Sequence, residues 1–73
     1  MRYYWFKDGS RVCDWEKGAN FFRDDFQESF FDVLHGFCDE IEFMDADTGE
    51  NIAIIYKNES GEIVSRINNK EIY

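Results

Sequence analysis

Between Asn20 and Phe37 the apolar side chains recur at helical spacing: Phe22, Phe26, Phe30, Val33, Leu34 and Phe37 fall within an arc of roughly 120° at about 100° per residue. This period predicts an amphipathic helix docked through Phe22, Phe26, Phe30, Val33 and Phe37. On the opposite side Asp24, Glu28 and Asp32 recur every four residues, with Asp25 beside them, and Phe31 lies next to these acids, outside the apolar arc, as does Phe21. Asn20 is a candidate N-cap, which would put Asp24 and Asp25 early in the helix, where the dipole favours anions. A rival start at Asp14 keeps Trp15 and Ala19 in phase but places Gly18 inside the helix, at a cost of about 1 kcal/mol. Gly36 helps to end it.

Elsewhere the period is two. Arg2 to Lys7 and Ser10 to Asp14 flank Asp8-Gly9, a two-residue hairpin signal. Ile41 and Phe43 alternate with Glu40, Glu42 and Met44, and Asn51 to Lys57 is a β-branched run in which Ile52, Ile54 and Tyr56 alternate with Ala53 and Ile55. Asn58 to Gly61 is a tight turn, with Asn first and Gly fourth, leading into a last strand from Glu62 to Asn68. The order β-β-α-β-β-β predicts an α+β fold: an antiparallel sheet with one amphipathic helix packed on one face. Residues 1–73 make one small domain.

Composition changes this picture in two ways. Hydrophobic content of 44% with 19% aromatic is too rich for a disordered acidic tail, so the chain folds. Its 14 aromatic side chains also exceed what one helix face buries, and a homodimer is the expected way to cover the remainder. Cys13 and Cys38 are too few for a disulfide framework and, with His35 alone, too few for a four-ligand zinc site. Both thiols are expected to be reduced and structural. No apolar run reaches signal-peptide or membrane-spanning length, so the expected location is the cytoplasm.

Charge is the sharpest feature. Residues 24 to 56 carry ten carboxylates (Asp24, Asp25, Glu28, Asp32, Asp39, Glu40, Glu42, Asp45, Asp47 and Glu50) and no Lys or Arg, in a chain of net charge −8. Phosphates repel such a surface, so direct binding to nucleic acid or to an anionic membrane is not expected, whereas basic partners are favoured. Like charges four apart cost a helix a few tenths of a kcal/mol each, a self-repulsion that a cationic partner would relieve. These ten acids, with Phe31 as an apolar anchor, form the expected partner-binding set.

Other chemistry is poorly served. Asp45-x-Asp47-x-Gly49 opens like a calcium loop, but positions six and twelve, which need Gly and Glu, hold Glu50 and Tyr56. A hairpin turn accounts for it. Carboxylate pairs for a glycosidase or a metal-dependent nuclease need a cleft that one helix on one sheet barely provides. His35, on the polar side near the helix end, reads as a surface histidine. No catalytic, cofactor or metal role is assigned, and an enzyme is not expected.

In size, negative charge and absence of catalytic residues the chain resembles the small acidic host-takeover proteins of bacteriophages, some of which are DNA mimics. The resemblance, one of composition, implies an inhibitor that occupies the nucleic-acid-binding face of a basic host protein: a nucleoid protein, a nuclease, a restriction or CRISPR effector, or RNA polymerase. It also implies residence in the host cytoplasm. The alternative is a structural or assembly protein that forms a homo-oligomer through exposed aromatics and a sheet edge.

Overall fold

The computed structural model describes residues 2–11, 22–67 and 70–71. The two proposed helix starts, Cys13, Trp15, Phe21, residues 12–14 of the second expected strand and Asn68 lie outside them. β1 (Tyr3–Lys7) and β2 (Ser10–Arg11) form a hairpin in which Lys7 faces Ser10. The turn residues Asp8 (φ 50°) and Gly9 (φ 85°) are both left-handed, as a type I′ turn demands and as Asp-Gly tolerates at low cost. After α1 (Phe22–Leu34) come β3 (Glu40–Asp45), β4 (Asn51–Lys57), β5 (Ile63–Ile67) and the two-residue β6 (Lys70–Glu71). The strands make one open antiparallel sheet in the order β2-β1-β3-β4-β5-β6.

Each turn has a local cause. Asp45 closes the β3–β4 connection, its Oδ1 accepting the amides of Asp47 (2.8 Å) and Thr48 (3.1 Å). Asn58 does the same between β4 and β5, accepting the amides of Ser60 and Glu62, each at 3.0 Å. Asx side chains stand in for backbone acceptors in this way, and the Asp45 carboxylate is thus occupied by its own turn.

α1 lies on one face of the sheet. Fully buried side chains contribute about 1.5–3 kcal/mol each, and here they are Tyr3, Val33, Ile41, Phe43 and Ile55, with Cys38, Ile52 and Ala53 nearly so. Phe43 sits at the aromatic centre, its ring centroid 5.2 to 6.1 Å from those of Tyr3, Trp5, Phe22 and Phe26. The alternation expected along β4 breaks at its start. A register shift beside Phe43 and Met44 brings Ile52 and Ala53 both into the core, as a β-bulge does.

The docking face of α1 also differs from the one its period predicts. Val33 is buried and Phe22, Phe26 and Phe30 pack on the core, but Leu34 is 46% and Phe37 75% exposed, while Ser29 is only 4% exposed. The helix ends before Phe37. Gly36 (φ 80°) is left-handed, its amide donates to the Val33 carbonyl (3.2 Å), and the Phe37 amide donates to the Asp32 carbonyl (2.9 Å). These are the two bonds of a Schellman turn, which carries Phe37 off the helical spiral. The inner side is therefore centred between Phe22, Phe26, Ser29 and Val33, and leaves Leu34 at its margin.

Candidate functional site

α1 packs over β3, β4 and β5, while two side chains of β1 reach it, Tyr3 near its start and Lys7 near its end, and this divides the acids. At the first end, the Tyr3 hydroxyl donates to Asp25 Oδ2 at 2.7 Å; Asp45 pairs with Tyr3 across the sheet. Asp24, Asp25 and the Asp45–Glu50 turn therefore share this end of the molecule. At the other end, Lys7 Nζ lies 3.4 Å from Asp32 Oδ2, both half-buried, and Asp8 Oδ1 accepts the amides of Asp39 and Glu40, each at 3.0 Å. Glu40 and Glu42 stand on the sheet face that α1 does not cover, where Asn51 Nδ2 donates to Glu42 Oε2 at 2.8 Å.

The acidic stripe thus splits by role. Asp25 and Asp32 face β1 and hold the helix to the sheet; Asp24 and Glu28 are exposed and pair with no cation among the described residues. Asp47 is 3.6 Å from Arg2 Nε, with both side chains more than half exposed, so that contact is weak. Glu50 and Asp39 are exposed as well.

Beside Asp24 and Glu28 lies an aromatic patch whose extent the sequence does not reveal. Phe31, 47% exposed, points away from the sheet; the His35 ring stacks on it (centroids 6.2 Å, planes 28° apart), and Phe37 lies 6.3 Å from His35. With Leu34, these are the large apolar side chains most exposed among the described residues. Phe31 separates two shallow hollows. One, of about 330 Å³, is lined by Arg23, Phe26, Gln27 and Phe30; the other, of about 260 Å³, by Asp24, Gln27 and Glu28. Phe37, expected in the docking face, joins this surface because Gly36 ends the helix, and Leu34, at the edge of the apolar arc, joins it from the last helical position. Gly36 two residues after Leu34 is the signal that could have found Phe37.

Cys38 is buried and free, just after the turn. Burial pushes its thiol pKa up, Lys7 opposes the shift, and Asp8, Asp32 and Asp39 add to it. A raised pKa means less thiolate, so the group is a poor nucleophile. Among the described residues no helix is long and apolar enough to cross a membrane.

Fold and surface together define an α+β protein in which a helix packed on one face of an antiparallel sheet carries an acidic, aromatic outer side. Comparison with models of known families, with characterised proteins and with solved structures finds no match.

Proposed function

We propose that this chain is a small acidic binding protein which inhibits a basic nucleic-acid-binding protein by covering the surface that otherwise meets phosphate. The observation that carries the reading is the outer side of α1. There Asp24 and Glu28, one turn or about 6 Å apart along the axis, are exposed, form no ion pair among the described residues and adjoin the Phe31, Leu34, His35 and Phe37 patch. Carboxylates supply steering and charge match, and a desolvated aromatic supplies the anchor that phosphate lacks. Asp47 and Glu50 widen the exposed charged area at the helix start, where Asp25 and Asp45 are held by Tyr3 and by their own turn, whereas Asp32, Asp39, Glu40 and Glu42 lie off it.

The test is retention of a basic nucleic-acid-binding protein from bacterial lysate at low salt, followed by release with rising salt or with added DNA. Charge steering is screened over about 8 Å at physiological ionic strength, so retention should fall steeply with salt. Retention of such a protein undisturbed by DNA would contradict the proposed competition. The second reading, an assembly protein, draws on the opposite side of the sheet.

A further inference from the structure

The sheet face turned away from α1 breaks the usual rule that an uncovered antiparallel face is polar. Tyr4, Phe6, Met44, Ile54, Tyr56 and Val64 all lie on it, each partly exposed, and no element among the described residues covers it. Its charges are placed in register. Glu42 of β3 faces Ile54 of β4, and Ile54 faces Arg66 of β5, giving one row of acid, apolar and base across three strands. Arg66 is exposed.

We propose that a second copy of this chain packs on this face, related by a two-fold axis running along β4 between the two sheets. Such an axis maps β3 of one copy onto β5 of the other at the same height along the strands. Glu42 then meets Arg66 of the second copy, Arg66 meets its Glu42, and Ile54 and Tyr56 meet their own equivalents at the centre. This is an isologous, self-complementary contact in the geometry of aligned sheets packed about 10 Å apart. An axis along β3 would instead set Glu42 against Glu42, so the charge row selects β4. The surface is distinct from the outer side of α1, and a dimer presents that side twice.

Sedimentation equilibrium on charge-swapped chains tests the arrangement. Glu42→Arg and Arg66→Glu should each weaken dimerisation at least about tenfold, since each sets like charges together twice. Mixing the two variants should restore a heterodimer, with one original and one reversed pair, and the double variant a homodimer, with both pairs reversed, because unlike charges then meet at every contact. Net repulsion does not explain that pattern: Glu42→Arg makes the net charge of −8 less negative, yet the proposal has it weaken the dimer. A wild-type chain that stays monomeric up to about millimolar concentration, single variants that dimerise like wild type, or a mixture that stays monomeric would each overturn the proposal. Should a single variant fail to fold, NMR shifts of the wild type on dilution decide. Changes at Ile54, Tyr56 and Arg66 support it, and changes confined to Phe31 and Phe37 place the contact on the helix and overturn it.

Discussion

The two sides of α1 use the same kinds of residue for opposite ends. On the inner side, Phe22 and Phe26 pack against Phe43, Phe30 packs on the core and Val33 is sealed, while Asp25 and Asp32 are tied to Tyr3 and Lys7. On the outer side, Phe31, Leu34 and Phe37 are exposed, and Asp24 and Glu28 pair with no cation among the described residues. Aromatic and acidic side chains thus occur on both sides, and what distinguishes them is partnership. A residue already satisfied within the chain stabilises the fold; one left open is available to another molecule.

The largest test of that contrast is to remove one aromatic from each side of the divide. Phe43→Ala should cost about 3–5 kcal/mol, enough to unfold much of so small a domain, whereas Phe37→Ala should stay within about 0.5 kcal/mol of wild type. Chemical denaturation of the two variants reads this directly. Equal losses would erase the distinction between the two sides.

A smaller effect concerns the tie at the helix start. Tyr3→Phe keeps the buried ring but removes the hydrogen bond to Asp25, for an expected loss of about 1 kcal/mol; an unchanged urea midpoint would show that Asp25 belongs with the open acids. In the other direction, the Ser65 Oγ is buried without a hydrogen-bond partner among the described residues. Ser65→Ala should therefore leave the thermal midpoint unchanged or raise it, by at most about 1 kcal/mol of stability. A clear drop would reveal a partner for the hydroxyl.

The smallest effect is a pH slope. Burial holds the Cys38 thiol above its ordinary pKa, so the unfolded chain releases this proton at lower pH than the folded one. Stability from this source is complete below the unfolded value, about 8.5, and is lost as pH rises through the folded value. Cys38→Ala should lower stability at neutral pH and flatten its decline above about pH 8.5; an unaltered slope would assign that decline to other groups.

How far the sequence discloses these features follows from how local their causes are. Asp8-Gly9, Asp45 to Gly49 and Asn58 to Gly61 form their turns from their own side chains and φ angles, so the turns and the order of elements along the chain as far as β5 are legible. The span Asn51–Lys57 is legible too, to the residue. Periodicity misplaces Phe37 because it assumes that the helix continues, and Gly36 stops it. The division of the acids is not local at all. Asp32 is occupied because Lys7 reaches it from β1, and Asp24, eight residues earlier on the same stripe, has no such neighbour among the described residues.

The most direct measurement of the central claim is the affinity of a captured basic partner for wild type and for two outer-face variants, Asp24→Asn/Glu28→Gln and Phe31→Ala/Phe37→Ala, at low and high salt. Both variants should fold as well as wild type, and the acid variant slightly better, because like-charge repulsion along the stripe is relieved. The acid variant should lose affinity mainly at low salt and release the partner to DNA more readily, while the aromatic variant should lose it at both salt concentrations. Wild-type affinity in both variants at both concentrations would contradict the assignment of the outer face of α1 as the binding surface.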